Sequence, residues 1–314
     1  MVRRQARSAV IRRLTAELVD GAGAVLGEGP SWDARAGELV WVDLLSGSVR
    51  IHDGNGDHRT TFAVGGHVSS ALPAEGGGWL LTTADGFALL GRDGSVEPLL
   101  AVVDDRPELR FNDAKCDPWG RALAGTMRYD EQPGSATLYR LESIPADGGS
   151  ATPGWGARPL LEGIGLSNGL GWSADGGTFY FIDTLARSVA SYPYRADDDY
   201  LGPRHQVVAV EPAAGLPDGM CVDATGSLWV ALYGGGAVHR YTPEGVLDTV
   251  VSLPVPGPTS VAFGGPRGDR LFITTGGGWG RPNSSGAGGL WSVDPGTTGP
   301  PATPWRAPEG VHHG

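Results

Sequence analysis

One stretch near the middle of the chain, residues 166–184, has the hydrophobic and polar pattern of a β-hairpin. Leu170 and Trp172 alternate with glycines, as expected for a strand, and Phe179 to Ile182 form a second run of β-prone residues. Between them, Ser-Ala-Asp-Gly-Gly at 173–177 supplies residues that reverse a chain. The pattern predicts two antiparallel strands joined by a tight turn, with the polar Asn168 near the start of the first strand.

The same pattern recurs along the chain. In each copy a first strand leads through a turn to a second, more apolar strand. Clear copies span 28–43, 112–126 and 218–231, and two weaker ones span 68–83 and 259–275. Equivalent turn positions are 40 to 56 residues apart; they are Asp33, Pro73, Asp117, Ser173, Asp223 and Gly264. This spacing is typical of propeller blades, so the sequence predicts an all-β protein with the fold of a six-bladed β-propeller.

The ends of the chain determine how such a ring is completed. A third strand follows each hairpin, but the last blade has no outer strand of its own, because Gly, Thr and Pro dominate after Val293. We expect Arg13 to Val19 to supply this strand and protect the sheet edge. The predicted organisation is a mobile basic arm over residues 1–12, one propeller over 13–294 and a mobile tail over 295–314.

Composition supports a turn-rich β protein. The chain has 52 Gly, 24 Pro and 10 Trp, and 40% of its residues are hydrophobic, which is enough for a packed core. The formal net charge of −11 argues against a nucleic-acid partner. Cys116 and Cys221 are isolated and are predicted to be buried, unpaired thiols. No apolar run suits a signal peptide or a membrane span, so we expect a cytoplasmic protein without a membrane partner.

One position in the repeat carries candidate chemistry. It lies five residues before each turn position and is occupied by Glu28, Val68, Asn112, Asn168, Asp218 and Thr259. Since the innermost strand of a propeller blade begins at the central channel, these side chains are expected to converge there. Oxygen donors without Cys or His favour a hard divalent cation such as Ca²⁺, Mg²⁺ or Mn²⁺. The structural alternative, that Asn and Asp merely open strands and turns, explains one such residue better than it explains four.

Four motifs resemble those of the gluconolactonase and regucalcin (senescence-marker protein) family. They are Glu-Gly-Pro-Ser-Trp at 28–32, Arg-Phe-Asn-Asp-Ala-Lys at 110–115, Ser-Asn-Gly-Leu-Gly-Trp-Ser at 167–173 and Pro-Asp-Gly-Met-Cys-Val-Asp at 217–223. The resemblance extends over roughly residues 15–293. It implies a six-bladed propeller that holds one divalent metal ion, which its oxygen ligands allow to be Ca²⁺, Mn²⁺, Mg²⁺ or Zn²⁺.

The resemblance also implies roles for individual residues. It makes Glu28, Asn168 and Asp218 the metal ligands, and Arg110, Asn112 and Asp130 the contacts to substrate. Arg110 lies two residues before Asn112, so strand alternation aims both at one face, although an isolated Arg is also compatible with a surface ion pair. Asp218 fits two roles equally well: a ligand only, or a ligand that is also the catalytic general base.

The predicted function is metal-dependent hydrolysis of a small sugar lactone to its aldonic acid, in which the cation stabilises the oxyanion. No Gly-x-Ser-x-Gly motif supports a serine triad, and His67 is predicted to contact substrate or to pack in a loop. Three other functions fit parts of the pattern. They are a non-catalytic calcium-binding regulator, a propeller that docks proteins through an exposed apolar patch, and a hydrolase of a non-sugar lactone or a phosphotriester.

Overall fold

The computed structural model describes residues 10–21, 23–144, 154–197, 200–278 and 285–307. Residues 1–9 of the predicted arm and 308–314 of the predicted tail lie outside these described residues. Within them the chain is built almost entirely of strands, and its one helix is a 3-10 turn at Pro212–Ala214. Nowhere in these ranges is there a helix with the length and apolar character needed to cross a bilayer.

The strands follow one another in six groups. Two short strands come first: β1 (Arg12–Thr15) and β2 (Glu17–Asp20). The first blade contains β3 (Gly27–Asp33), β4 (Glu38–Asp43), β5 (Ser48–Asp53) and β6 (His58–Ala63). The second contains β7 (Val68–Pro73), β8 (Trp79–Thr83), β9 (Gly86–Leu90) and β10 (Val96–Ala101). The third contains β11 (Leu109–Cys116), β12 (Ala122–Arg128), β13 (Ala136–Ile144) and β14 (Gly154–Ile164).

The remaining three blades are less uniform. The fourth contains β15 (Ser167–Trp172), β16 (Thr178–Asp183), β17 (Ser188–Arg195), β18 (Tyr200–Leu201) and β19 (His205–Ala209). The fifth contains β20 (Leu216–Val222), β21 (Leu228–Tyr233), β22 (Ala237–Tyr241) and β23 (Leu247–Ser252). The sixth contains β24 (Pro258–Gly264), β25 (Arg270–Thr275) and β26 (Leu290–Val293).

The blades form a closed ring around their first strands. Within each blade, consecutive strands pair antiparallel in chain order. The six innermost strands are β3, β7, β11, β15, β20 and β24, and each packs against the next, with β24 returning to β3. The predicted all-β, six-bladed propeller is therefore confirmed, and the start of every innermost strand lies at one central channel.

The hydrophobic core lies between blades. Val40 and Val42 of the first blade share one cluster with Leu81 of the second, and Trp229 of the fifth shares another with Leu271 of the sixth. A blade has a neighbour on both faces, so its second strand is buried on both sides. This explains why Leu39-Val-Trp-Val is a continuous apolar run instead of an alternating one.

The N-terminal segment predicted as one strand is two. β1 runs parallel to β23 at the outer edge of the fifth blade, and β2 pairs antiparallel with β26 as the outer strand of the sixth. The division falls at Ala16, which is 4% exposed and whose N–H donates to the Ser252 carbonyl. The predicted strand Arg13 to Val19 therefore contributes to two sheets.

Residues 295–307 of the predicted mobile tail pack against the blades. The Trp305 side chain is 2% exposed and lies 5.6 Å from the ring of Trp155. The Trp305 N–H donates to the Pro73 carbonyl, and the Trp305 carbonyl accepts from Glu75 N–H. Backbone hydrogen bonds also join this segment to Trp32 in the first blade and Gly120 in the third. Gly, Pro and Thr are common here because the segment follows the blade turns without forming a regular strand.

Candidate metal and substrate site

Each innermost strand has an irregularity near its start. Its pairing with the second strand shifts register at 29–30, 69, 112–113, 168–169, 218–219 and 259. A β-bulge interrupts the regular alternation of side chains and re-aims them locally. In the second blade, Val68 packs with Val40 and Val42 between blades, and Ser69 lies at the bulge. The bulge therefore selects which side chains of each blade face the channel.

The five predicted site residues on innermost strands are all buried. Glu28 is 6% exposed, Arg110 8%, Asn112 7%, Asn168 4% and Asp218 9%. They belong to the first, third, fourth and fifth blades, yet hydrogen bonds and charge interactions connect them. The structure thus brings together residues that are as much as 190 positions apart in the chain, from 28 to 218.

A chain of hydrogen bonds orders the two amides. Arg110 Nη1 donates to Asn112 Oδ1 at 2.8 Å, and Asn112 Nδ2 donates to Asn168 Oδ1 at 2.8 Å. Asn168 Nδ2 donates to Thr184 Oγ1 at 2.7 Å, and that hydroxyl donates to the Pro217 carbonyl at 2.7 Å. This chain of hydrogen bonds fixes the orientation of the Asn168 amide, and it ends on the residue that precedes Asp218.

Glycines after the candidate ligands allow the innermost strands to approach one another. A Cβ on Gly169 would lie 2.9 Å from the Asp218 carbonyl oxygen, and one on Gly219 would lie 2.1 Å from Ser260 Oγ. Both distances are too short for a side chain. The Asn-Gly and Asp-Gly pairs of the motifs therefore combine a polar group with the close approach that the ring requires.

Glu28 and Asp218 form a buried acidic pair. Burial raises the pKa of Glu28 well above its usual value, and the negative charges of Asp218 and Asp113 raise it further. Burial likewise raises the pKa of Asp218, with Asp113 adding to the effect and Arg110 opposing it. Buried like charges repel one another, so this arrangement is favourable only when a proton or a cation offsets them.

Asp113 is a further acidic group that the sequence argument missed. It lies beside Asn112 in the bulge of β11, is 8% exposed, and burial raises its pKa to about 6 against the charges of Lys115 and Arg110. Lys115 Nζ donates to the Met220 carbonyl of the fifth blade at 2.8 Å. Regular alternation would turn Asp113 away from Asn112, so only the bulge explains why both act on the same site.

Asp130 does not join this network. Its two carboxylate oxygens accept from Arg128 Nε and Nη2 at 2.7 and 2.8 Å, and 47% of its side chain is exposed. The hydrogen bond from Arg128 lowers the pKa of Asp130 to about 2. The structure therefore places the predicted substrate contact in a surface ion pair.

The sequence argument also missed two tyrosines beside the candidate site. The Tyr129 ring centroid lies 5.9 Å from the Arg110 guanidinium carbon, and its hydroxyl lies 3.2 Å from His67 Nδ1. Burial lowers the pKa of His67, and the charge of Arg110 lowers it further. At the end of β21, burial raises the pKa of Tyr233 to about 12, helped by the charges of Asp218 and Glu28. Tyr129 directly follows an apolar strand and Tyr233 ends one, so the hydrophobic pattern does not distinguish them from core residues.

The candidate site offers oxygen donors, which are the ligands that a hard cation prefers. In the part of the chain that the structure describes, no three side chains of His, Cys, Asp or Glu are grouped to hold a metal ion. The predicted set is instead two carboxylates and one amide, Glu28, Asp218 and Asn168. Their oxygens are buried, and the acidic pair has raised pKa values, so a divalent cation at this point would offset the repulsion.

Comparison with known proteins identifies close similarities. A family model described as "SMP-30/Gluconolactonase/LRE-like region" matches residues 26–277. The chain is 35% identical over 254 residues to YvrE of Bacillus subtilis, whose name provisionally describes a sugar lactone lactonase; the match covers 80% of this chain and 84% of YvrE. It is also 35% identical over 260 residues to regucalcin of Xenopus laevis, covering 80% and 83% of the two chains.

The fold has close counterparts among solved structures. The structure of a calcium-binding protein, regucalcin, from Agrobacterium tumefaciens matches with a TM-score of 0.82 and 24% sequence identity. The match covers 95% of this chain and 100% of that one. At this identity the comparison establishes the propeller fold.

Proposed function

Because the chain belongs to the SMP-30/gluconolactonase/LRE-like family, we propose that it is a metal-dependent lactonase that opens the ring of a sugar lactone to the aldonic acid. The observation that carries the proposal is the buried acidic pair, Glu28 and Asp218, beside the ordered amides of Asn112 and Asn168. Sugar lactones are proposed as the substrate class because the similar protein YvrE is named for them.

Glu28, Asn168 and Asp218 would hold one divalent cation. When bound, such an ion polarises the lactone carbonyl and stabilises the negative charge that develops on its oxygen. The oxygen-only ligands favour Ca²⁺, Mg²⁺ or Mn²⁺. Asn168 suits the role because its oxygen accepts one hydrogen bond from Asn112 and keeps a second lone pair.

Arg110 orients the substrate in this proposal. Among the described residues, its side-chain hydrogen bonds both use Nη1, to Asn112 Oδ1 and to the Phe111 carbonyl. Nε and Nη2 therefore remain to donate to a substrate oxygen. Because these two hydrogen bonds fix the guanidinium, Arg110 can hold a lactone in one orientation beside the acidic pair.

Asp218 is proposed to accept the proton of the attacking water. The water oxygen forms a bond to the carbonyl carbon, and its proton passes to the Asp218 carboxylate. The ring C–O bond then breaks, and the released alkoxide takes up the proton from Asp218, so that the products are a carboxylic acid and a hydroxyl. The acid then loses its remaining proton to solvent and becomes the carboxylate.

The proposal is tested by acid release from a panel of sugar lactones. The protein is chelated, assayed, and assayed again after addition of Ca²⁺, Mn²⁺, Mg²⁺ or Zn²⁺. We expect turnover to require the metal and to fall by about 10²- to 10⁴-fold in Asp218→Asn. Asp175→Asn is the matched control, because Asp175 is an exposed carboxylate that accepts from Ser173 in a blade turn.

Two results would contradict parts of this proposal. Full turnover in the chelated protein would show that the reaction does not require the metal. Tight Ca²⁺ binding without turnover of any lactone would instead favour the calcium-binding regulator, or a hydrolase of a phosphotriester that a wider panel would detect.

A further inference from the structure

The turn between β16 and β17 contains an arginine in a backbone conformation that favours glycine. Arg187 has a φ of 50°, in the left-handed region, and directly precedes the first residue of β17. In the first and fifth blades the equivalent position, directly before the third strand, is occupied by Gly47 with a φ of 64° and by Gly236 with a φ of 62°. The fourth blade keeps an arginine where glycine is less strained, which indicates that the arginine side chain is used.

The Arg187 side chain binds the segment that connects β19 to β20. Its guanidinium donates to four backbone carbonyls of residues 210–215, which we call the entry loop. Nε lies 3.4 Å from the first of these oxygens, and Nη2 lies 3.2 Å from two others and also donates to the fourth. The acceptors are the carbonyls of Val210, Glu211, Pro212 and Gly215.

Two further bonds attach the entry loop to the same turn of the fourth blade. The Arg187 carbonyl accepts from the Val210 N–H at 2.8 Å. At the start of the turn, Thr184 Oγ1 donates to the Pro217 carbonyl at 2.7 Å. The 3-10 turn at Pro212–Ala214 lies between these two attachments. The fourth blade therefore holds the entry loop at both of its ends, and the guanidinium holds its interior.

The entry loop leads directly into the candidate site. It is followed by β20, in which Pro217 precedes the proposed ligand Asp218. A Cβ on Gly215 would lie 2.7 Å from the Gly235 nitrogen and 2.8 Å from the Tyr233 carbonyl oxygen, so the loop also touches the backbone of the turn after Tyr233. A displacement of the loop would consequently move both Asp218 and Tyr233.

We propose that Arg187 is a positioning residue of the candidate site, whose guanidinium fixes the entry loop and, through it, the Asp218 carboxylate. This inference rests on the proposed lactonase function. A guanidinium suits the task because its planar fork directs several donors at once, whereas a lysine ammonium is a flexible point charge. Arg110 is held within the third blade by Asn112 and the Phe111 carbonyl, so we expect Arg187 to affect the acidic pair more than substrate binding.

The first test replaces Arg187 with the residue that the first and fifth blades have at this position. Arg187→Gly removes the guanidinium and relieves the left-handed strain. We expect the Kd for Ca²⁺ to rise and kcat to fall by about 10- to 100-fold, because Asp218 loses its fixed position. The KM for the sugar lactone that the wild type hydrolyses fastest is expected to change by less than about threefold. Calcium titration and steady-state kinetics measure these quantities.

Free guanidinium ion provides a second readout on the same variant. It can enter the space that Arg187→Gly leaves and donate to the same carbonyls, so millimolar guanidinium chloride is expected to restore part of the Ca²⁺ affinity. Sodium chloride at the same concentration supplies no such donor and is not expected to do so. Equal responses to the two salts would contradict a role for these hydrogen bonds.

Arg35→Gly is the matched control. Arg35 also donates to backbone carbonyls, those of Ala74 at 2.8 Å and Glu75 at 3.1 Å, but it lies in the turn after β3, at the end of the blade away from the candidate site. We expect Arg35→Gly to lower the Tm while Ca²⁺ affinity and kcat change by less than about threefold. Equal losses of affinity in the two variants would overturn the inference, because they would reflect a general loss of stability.

Unchanged Ca²⁺ affinity and kcat in Arg187→Gly would also overturn the inference, whatever its Tm. If the wild-type protein hydrolyses no lactone with any metal, the proposed function fails, which is a separate result. Hydrogen exchange of the backbone over residues 210–222 then still tests Arg187: faster exchange in Arg187→Gly than in the wild type supports its hold on the loop and on Asp218, and equal exchange overturns it.

Discussion

Glu28 and Asp218 show how individual residues are positioned at the expense of stability. Burial and repulsion from neighbouring carboxylates raise the pKa of both acids, so in the metal-free protein their ionised forms are unfavourable. The surrounding amides do not remove this repulsion. Such acids are retained where their charge is used, which here means cation binding and proton transfer.

Thr184 is the residue at which the hydrogen-bond chain can be broken without touching a proposed ligand. Its hydroxyl accepts from Asn168 and donates to the Pro217 carbonyl. We expect Thr184→Val to leave the fold intact but to lower the Ca²⁺ affinity or kcat/KM by about 10- to 100-fold, because Asn168 loses its fixed orientation. Calcium titration and lactone kinetics measure the two effects.

Thr225→Val is the matched control for Thr184→Val. The Thr225 hydroxyl donates to Asp223 in a blade turn, so its loss is expected to reduce stability only. Unchanged calcium affinity and activity in Thr184→Val would show that the hydrogen-bond chain does not position Asn168.

At the scale of elements, carboxylates have different roles at the two ends of an innermost strand: those at its start belong to the candidate site, and those at its end form the turn. In the turns, Asp117 accepts from the N–H groups of Trp119 and Arg121, and Asp223 accepts from those of Thr225 and Ser227. These are turn-forming bonds. The Asp residues at the turn positions are therefore structural, whereas the polar residues five positions earlier form the candidate site.

The seam between the first and last blades depends on a neutral histidine. Trp41 Nε1 donates to His52 Nδ1 at 3.0 Å, and His52 Nε2 lies 2.8 Å from Asp20 Oδ2 on β2. Burial lowers the pKa of His52 from 6.5 more than Asp20 raises it. Since the unfolded chain then binds the proton more tightly, this contribution to stability is present above pH 6.5 and is lost as the pH falls through the lowered pKa.

We therefore expect the unfolding free energy to decline from pH 7.5 toward pH 5 more steeply in the wild type than in His52→Gln, whose side chain cannot be protonated. Urea unfolding followed at several pH values measures both slopes. Parallel curves would show that His52 does not titrate at the seam.

The C-terminal segment stabilises the fold through one side chain. Trp305 belongs to the core cluster of the second and third blades, with Phe87 and Phe111. We expect Trp305→Ala to lower the unfolding free energy by about 3–5 kcal/mol, measured by urea unfolding, because it leaves a large cavity. Trp119→Ala is the comparison, since Trp119 is 42% exposed and its loss is expected to be clearly smaller. Equal losses would mean that the segment contributes little packing.

At the scale of the whole molecule, the proposed cation would connect distant parts of the ring. Glu28 lies in the first blade, Asn168 in the fourth and Asp218 in the fifth. A ligand that binds only the folded state stabilises it by about 2.7 kcal/mol when present at 100 times its Kd. We expect Ca²⁺ to raise the Tm of the chelated protein accordingly, and Glu28→Gln to remove most of that rise.

The calcium effect should depend on pH. The raised pKa values of Glu28 and Asp218 mean that protons compete with the cation at mildly acidic pH, so the Tm rise is expected to be larger at pH 8 than at pH 5. Scanning calorimetry with and without Ca²⁺ at both pH values measures this difference. A rise that is equal at both pH values would indicate binding elsewhere.

The repeat in the sequence specifies the fold and four of the candidate site residues. Glu28, Asn112, Asn168 and Asp218 occupy one register position of a pattern whose spacing specifies blades, and hydrophobic runs such as 39–42 specify the strands. Both are local properties of the chain, set by β-propensity and turn chemistry. The packed segment 295–307 was not predictable, because its Gly, Pro and Thr content is equally typical of mobile chain.

Only the tertiary structure decided which groups act together. Bulges place Asp113 beside Asn112, and Arg128 holds Asp130 in a surface ion pair away from the candidate site. These outcomes depend on contacts between blades and on departures from regular alternation, to which hydrophobic periodicity is insensitive. The sequence alone thus determined the ring and its candidate ligands, whereas the neighbours of those ligands follow from how six separate bulges meet at one channel.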